Sequence, residues 1–124
     1  MSHIVKAQTE ITDLRIIKLT CGRLGIGYTE RITVEFYDSR ATGTAVYLKN
    51  WRYPIVIDQQ TGQVSYDNFG GSWGNIRKLE EFKQTYVEVA LEELLSLSGY
   101  HIAEATTNAR GERILQIVEI GGVA

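Results

Sequence analysis

Few residues of this sequence have the chemistry of a metal ligand. The soft ligands are Cys21, His3 and His101, and no two of them have C-x-x-C or H-x-x-x-H spacing. Structural zinc sites are typically built from such closely spaced pairs. We therefore expect no metal and no cofactor, and we interpret Cys21 as a core thiol.

Catalytic groups are equally sparse. A nucleophilic triad needs a base beside the nucleophile and a third group that orients the base. Two histidines without a G-x-S-x-G segment do not supply these groups. A retaining glycosidase needs two carboxylates facing each other across a cleft, whereas five of the 15 acidic residues fall on the polar face of one predicted helix. We predict no catalytic residue, and the sequence favours a protein that is not an enzyme.

The glycine-rich segment 68–74 is the sharpest local feature. Gly70 and Gly71 precede a predicted helix, where backbone amides can bind an anion. The segment lacks the Lys-Ser/Thr of a Walker loop and the full G-x-G-x-x-G fingerprint. One hypothesis is a small-ligand or nucleotide site, formed by Asp67, Asn68, Gly70, Gly71 and Trp73. The alternative is a sharp strand-to-helix turn in which Phe69 and Trp73 fold back onto the core and Trp73 covers the helix.

Aromatic residues are plentiful, with seven Tyr and two Trp. Tyr and Trp combine a large apolar area with a polar group, which suits a binding surface. The alternative is that they pack on the sheet and bond their hydroxyls locally. The main hypothesis is a non-enzymatic binding or adaptor domain whose sheet face contacts an unidentified protein partner. The residues predicted for this surface are Arg31, Thr33, Glu35, Tyr37 and Tyr47.

Charge and hydropathy exclude other classes of partner. The formal net charge is −2, from 13 basic and 15 acidic residues, and the basic residues are scattered along the chain. Nucleic-acid binding normally needs a basic stripe, so we expect no nucleic-acid partner. No stretch approaches the ~20 apolar residues of a membrane span, and the N-terminus does not resemble a signal peptide. With one cysteine, the chain is expected to be soluble and cytoplasmic.

The hydrophobic pattern predicts seven strands and two helices. A single α+β domain over residues 1–124 is expected, with a mostly antiparallel sheet and two helices on one face. The order is β-α-β-β-β-β-α-β-β, and a ferredoxin-like core with an extra hairpin is one candidate topology. The predicted strands are 3–11, 28–37, 44–49, 53–58, 63–67, 100–106 and 113–120, and the predicted helices are 13–24 and 75–98.

Segment 28–37 has the clearest alternation in the chain. Its pattern predicts one buried face with Tyr28, Ile32, Val34 and Phe36, and one polar face with Thr29, Arg31, Thr33 and Glu35. The helix before it should begin at Thr12 and Asp13, which offer a hydroxyl cap and a first-turn acid.

The last predicted strand, 113–120, is apolar on both faces. Such a strand must lie inside a sheet or be covered by another surface. We therefore predict a homo-oligomer, most simply a two-fold dimer, in which the sheet or this strand supplies the contact. Ile117→Lys is expected to break such a dimer without unfolding the chain.

Several short motifs resemble one known family. Met1-Ser2-His3 is followed by Thr9, Ile11, Asp13 and Leu14, and the likeness continues through Leu24-Gly25, Asp67, Trp73, Phe82, Tyr86, Gly99 and 111–115. This pattern is similar to the hypothetical chloroplast reading frame thirty-five family, an uncharacterised family of cyanobacteria and red-algal plastids. The chain departs from it near Pro54 and at residues 121–124. The resemblance implies a cyanobacterial cytosol or plastid stroma and implies no activity, cofactor or catalytic residue.

Overall fold

The computed structural model describes residues 5–8 and 11–120. The order β-α-β-β-β-β-α-β-β and the α+β class are confirmed. Predictions that involve His3, Thr9 or residues 121–124 lie outside the described residues. The elements are β1 (Val5–Gln8), α1 (Leu14–Leu24), β2 (Gly27–Glu35), β3 (Arg40–Tyr47), β4 (Ile55–Asp58), β5 (Gln63–Tyr66), α2 (Ile76–Leu97), β6 (Tyr100–Thr107) and β7 (Arg113–Glu119).

The strands form two antiparallel sheets. The first contains five strands in the order β1-β5-β4-β3-β2, and the second is the β6-β7 hairpin. Every described strand pair is antiparallel. A ferredoxin-like core is built on βαβ crossovers, which join parallel strands. The ferredoxin-like topology is therefore wrong, because β2 to β5 form a meander and β1 lies beside β5.

The chain divides into two compact units, residues 1–86 and 87–124. Helix α2 contributes its first half to the first unit and its second half to the second. A single domain over the whole chain stays a prediction. Neither described helix is long and apolar enough to span a membrane.

Helix α1 has clear signals at both ends. The Asp13 carboxylate accepts hydrogen bonds from the backbone amides of Arg15, at 2.9 Å, and Ile16, at 3.4 Å. This carboxylate is the N-cap, in place of the hydroxyl predicted at Thr12. At the other end Gly25 adopts the left-handed conformation, with φ of 68°, and ends the helix.

The core of the first unit lies between the five-stranded sheet and the two helices. Ile17, Phe82, Ile55 and Ile57 are fully buried. The Tyr86 hydroxyl of α2 accepts a hydrogen bond of 3.2 Å from the backbone amide of Asp13 at the start of α1. This hydrogen bond links α2 to the start of α1, and the two helices lie on one face of the sheet, as the sequence predicts.

A β-bulge in β2 changes which side chains share a face. Thr29 pairs with Ala45 and Ile32 pairs with Gly43, so β2 carries one extra residue there. Arg31, inside the bulge, has a positive φ of 52°. Because a shift of one residue moves side chains to the opposite face, Ile32 does not share a face with Tyr28. The predicted alternation over 28–37 is wrong at this point.

The β2-β3 hairpin curls over the five-stranded sheet. If β3 were straight, Arg40 at the hairpin tip would lie about 20 Å from Val46. Phe36 is at the same tip, because its amide donates to the Ser39 carbonyl. Tyr53 precedes β4 near the Val46 end, because Ile55 pairs with Val46. The rings of Phe36 and Tyr53 are nevertheless only 5.7 Å apart. The hairpin tip therefore folds back toward the loop that precedes β4.

Gly43 makes this curl sterically allowed. A Cβ atom at Gly43 would lie 2.9 Å from the carbonyl carbon of Ile57 and closer still to its oxygen. Glycine in a strand often marks such a close backbone approach. The curl also brings Arg40 at the hairpin tip to a cleft that it lines together with Val56 of β4 and Ser65 of β5, both of which are buried.

Cys21 provides a pH-dependent prediction. Burial raises the pKa of this thiol from 9.0 to about 11. The unfolded thiol ionises first, so the folded state keeps the neutral thiol and loses stability as the pH rises through this window. The difference in unfolding free energy between the wild type and Cys21→Ala should therefore shrink between about pH 8 and about pH 10, as measured by urea unfolding. An unchanged difference would contradict this burial effect.

Candidate interaction site

Five side chains from three loops form an aromatic patch in the first unit. Its members are Tyr37, Arg52, Tyr53, Phe69 and Trp73. Trp73 lies at the centre: it stacks on Phe69 with ring centroids 4.7 Å apart, and both Tyr37 and Tyr53 lie 5.8 Å from it. Tyr37 is 62% exposed, and the other three rings are half-buried. The patch is therefore open to a partner.

Arg52 is the only cation of the patch. Its guanidinium lies 4.5 Å above the Trp73 ring and 5.6 Å from the Tyr53 ring. This cation–π geometry holds a planar guanidinium in place without occupying its N–H donors. Arg52 is exposed and forms no ion pair with any residue that the structure describes. Within the described part of the chain, its side-chain N–H donors are therefore free to bind a carboxylate.

Hydrogen bonds within the glycine-rich loop fix the position of Trp73. The Asn68 carbonyl accepts hydrogen bonds of 2.9 Å from the amides of Gly71 and Trp73. The Asn68 side-chain amide donates to the Gly74 carbonyl at 3.2 Å. Phe69 has a positive φ of 46°, and the two glycines after it also have positive φ. Such a turn is tight enough to bring Phe69 and Trp73 face to face.

Trp51 packs against the glycine-rich loop at Gly74 and Asn75. Its indole N–H donates to the Asn75 carbonyl at 3.1 Å, and a Cβ atom at Gly74 would lie 2.6 Å from its Cε2 atom. The backbone amide of Arg52 donates to the Trp73 carbonyl at 2.8 Å. Tyr66 lies beneath, 5.8 Å from the Trp51 ring, and burial raises the pKa of its phenol. Trp51 therefore has a structural role, and Gly74 is small because the indole needs the space.

The predicted ligand residues of this loop mainly build the loop itself. Asp67 is fully buried, and its Oδ1 accepts a hydrogen bond of 3.2 Å from the Phe69 amide, while its Oδ2 has no partner among the residues that the structure describes. The amides of Gly71, Ser72 and Trp73 donate to carbonyls within the loop. Because these amides already donate within the loop, they are not available to an anion as a helix-start anion site requires. The geometry of segment 68–74 therefore gives the nucleotide hypothesis little support.

The predicted interaction surface is only partly assembled. Tyr37 lies against Trp73 and belongs to the aromatic patch. Thr33 bonds Thr42 at 2.7 Å, and Glu35 pairs with Arg40 at 4.0 Å. Their ladder partners place Thr33 and Glu35 on one side of the hairpin.

Tyr47 and Arg31 are separated from those residues by the bulge. Tyr47 lies on the opposite side of the ladder, where its hydroxyl is 3.0 Å from that of Thr29. Arg31 is the bulge residue with positive φ. The prediction that Thr29, Arg31, Thr33 and Glu35 form one polar face is wrong at Thr29, which lies on the side of Tyr47 because the bulge reverses the alternation within β2.

The sequence patterns did not indicate Arg52, Tyr53 or Phe69 as parts of a site. Under the alternative of a sharp turn, Phe69 and Trp73 were expected to fold back onto the core, whereas they stack on each other and are half-buried. The available signal was the run Trp51-Arg52-Tyr53, which places a cation between two aromatic residues. These residues form a site only because the hairpin curl and the glycine-rich loop bring Tyr37, Phe69 and Trp73 next to them.

A comparison of the chain with known protein families, curated proteins and solved structures gives no match. The likeness to the hypothetical chloroplast reading frame thirty-five family therefore stays a prediction. Among the described residues, no group of three or more His, Cys, Asp or Glu side chains is arranged to hold a metal ion. The aromatic patch is the best-defined candidate site in this part of the chain.

Proposed function

We propose that this protein is a non-enzymatic binding module that holds a segment of a partner protein on the aromatic patch. The observation that carries the proposal is the exposed Arg52 guanidinium stacked on Trp73 without an ion-pair partner among the described residues. Tyr, Trp and Arg are the residue types that contribute most to binding at protein interfaces. All three types meet in this patch.

The chemistry of the patch suits a segment that carries a carboxylate beside an apolar side chain. The Arg52 fork presents parallel N–H donors, which match the two oxygens of a carboxylate. The rings of Tyr37, Tyr53 and Trp73 offer apolar area next to this cation. We therefore propose a partner segment in which an acidic residue is flanked by leucine or an aromatic residue.

A protein partner is favoured over a nucleic acid on electrostatic grounds. Aromatic rings and arginine also bind single-stranded nucleic acids, but such sites combine stacking with a positively charged groove. Arg52 is the only cation of the patch, and the chain carries a formal net charge of −2. The repeated phosphates of a nucleic acid would meet too little positive charge here.

A double-mutant cycle tests the proposal with a defined probe. The probe is a short Gly/Ser peptide with a central Leu-Glu-Phe core, and its matched peptide carries Gln in place of Glu. Arg52→Gln should weaken binding of the Glu peptide by about tenfold, because it removes the ion pair between Arg52 and the peptide carboxylate. It should leave binding of the Gln peptide unchanged, because that peptide cannot form the ion pair. Trp73→Ala should weaken the binding of both peptides by about tenfold or more, because it removes the central ring of the patch. Fluorescence anisotropy of labelled peptides measures the six affinities of the wild type and these two variants for the two peptides.

Arg77→Gln is the matched control, since Arg77 is also exposed but lies outside the patch. It should bind both peptides like the wild type. Equal losses for Arg52→Gln and Arg77→Gln, or no preference for Glu over Gln, would contradict the proposal. Tight binding of a poly-dT oligonucleotide, lost in Trp73→Ala, would assign the patch to nucleic acid instead.

We further propose that the protein acts as a homo-oligomer, most simply a two-fold dimer, in the cytosol or stroma that the family resemblance implies. The support is the second unit, where Ile114, Ile117 and Ile120 are each about half exposed. Isolated two-stranded hairpins are marginally stable in water, and further strands stabilise them. A second copy would supply such strands.

A further inference from the structure

Strand β7 has an open edge along its whole length. It pairs with β6 and has no second strand neighbour among the residues that the structure describes. Its residues from Arg113 to Glu119 follow one another without an extra residue, because the register shift of this hairpin lies in β6, between Ile102 and Glu104. An unbroken edge strand is a template for pairing with another chain.

Strand β6 is poorly suited to the same role. Ile102 pairs with Ile117 and Glu104 pairs with Gln116, so β6 carries an extra residue at Ala103. Bulges twist an edge and interrupt its ladder, which is one way in which proteins block edge pairing. The open edge that remains regular is therefore that of β7.

The sequence of β7 is complementary to itself across a two-fold axis. If two copies pair antiparallel with Gln116 opposite Gln116, then Arg113 of each copy lies opposite Glu119 of the other. The residues between them pair as Ile114 with Val118 and Leu115 with Ile117, which are all apolar. Opposite charges and apolar residues directly across a ladder stabilise a sheet.

Neighbouring registers lack this match. A shift by one residue in one direction places Arg113 opposite Ile120 and Glu119 opposite Ile114. A shift in the other direction places Glu112 opposite Glu119, and like charges opposite each other are unfavourable. Only the Gln116-centred register therefore pairs every charge with its opposite along residues 113–119.

The charges at the two ends of β7 are available for this pairing. Glu119 has no ion pair among the residues that the structure describes. Arg113 donates two hydrogen bonds to Glu88 of α2, from Nε at 2.8 Å and from Nη2 at 3.2 Å, and Nη1 donates to the Thr107 hydroxyl at 3.2 Å. A guanidinium has five N–H donors, so these contacts leave donors for a second carboxylate.

We infer that two copies of this protein join through their β7 strands, paired antiparallel about Gln116, into a four-stranded β6-β7-β7-β6 sheet. The inference rests on the proposed dimer and names its contact. Ile114 and Ile117, which are exposed in one copy, lie directly opposite apolar residues of the other copy in this sheet.

Disulfide trapping tests the register. Opposite residues of an antiparallel pair have Cα atoms about 4.5–5.5 Å apart, within the range of about 4.4–6.8 Å that a disulfide spans. Gln116→Cys should therefore give a covalent dimer on mild oxidation, seen on a non-reducing gel. Thr106→Cys is the matched control on the exposed part of β6, whose copies would be at least about 14 Å apart. It should form no covalent dimer on that gel, and neither should the wild type, whose Cys21 is buried.

Glu119→Arg tests the charge pairing. It places like charges opposite each other twice per dimer and should weaken dimerisation by about tenfold or more, as measured by analytical ultracentrifugation. Glu80→Arg makes the same charge change on an exposed position of α2 and should leave the dimer unchanged. Circular dichroism verifies that each variant is folded.

The outcomes separate the strand pairing from the dimer itself. A wild-type dimer that neither cross-links through Gln116→Cys nor weakens with Glu119→Arg would overturn the β7 pairing and leave the dimer standing. A wild-type mass equal to the chain's own 14.0 kDa at micromolar concentration would overturn both. Cross-linking of Gln116→Cys but not of Thr106→Cys, together with a weakened Glu119→Arg dimer, is the result that the inference predicts.

Discussion

Phe82→Ala is expected to lower the free energy of unfolding by about 3–5 kcal/mol. Phe82 lies in the first half of α2 and is fully buried with Leu79, Ile17 and Ile55. Truncation removes the transfer free energy of the ring and leaves a cavity that a sheet-and-helix core cannot fill completely. Urea unfolding followed by far-UV circular dichroism measures the loss.

Gln84→Ala is the control for this change. It shortens a side chain two residues further along the same helix, at an exposed position, and should alter stability by less than about 0.5 kcal/mol. A loss below about 1 kcal/mol for Phe82→Ala would show that Phe82 does not lie in a well-packed core.

Gly43→Val is expected to cost about 3 kcal/mol, near the upper end of the usual cost of overpacking. The new Cβ atom would overlap the backbone carbonyl of Ile57, which cannot rotate away as a flexible side chain can. The hairpin must then lift away from β4, and Phe36 and Tyr37 should separate from Tyr53 and Trp73. The variant should therefore also lose binding of the Leu-Glu-Phe peptide.

Gly27→Val separates this steric effect from the general effect of a strand glycine. A Cβ atom at Gly27 would lie 3.7 Å from Tyr47, which is an ordinary contact. We expect Gly27→Val to be neutral or slightly stabilising, because valine favours strands. Equal losses at both glycines would contradict the curl of the hairpin as the cause.

The sequence predicted the elements well because their signals are local. Helix α1 has its cap at Asp13 and its stop at Gly25, and the β-α-β-β-β-β-α-β-β order follows from such signals. The bulge at Arg31 has a weaker signal, since Thr29, Glu30 and Arg31 are three polar residues in a row and do not show which of them is the extra residue. The predicted faces of Tyr28 and Thr29 were therefore wrong, whereas Ile32, Val34 and Phe36 lie on the more buried face, as predicted.

The candidate site depended on tertiary contacts that no local pattern encodes. The sequence identified Tyr37 and Trp73, but assigned them to two different surfaces. Their contact at 5.8 Å needs the curl at Gly43 and the turn of the glycine-rich loop. Arg52 was missed because a lone arginine between aromatic residues becomes distinctive only when its guanidinium lies on a ring.

The most direct test of the aromatic patch follows the two tryptophan indoles by NMR while the Leu-Glu-Phe peptide is added. Trp73 lies in the patch, whereas the Trp51 indole N–H is bonded to the Asn75 carbonyl beneath the loop. We expect the Trp73 indole signal, assigned with Trp73→Phe, to shift with a saturable dependence on the Glu peptide and to shift less with the Gln peptide. The Trp51 signal should serve as the internal reference and move little. Equal shifts of both indoles, or no shift of the Trp73 indole at saturating peptide, would contradict binding at this patch.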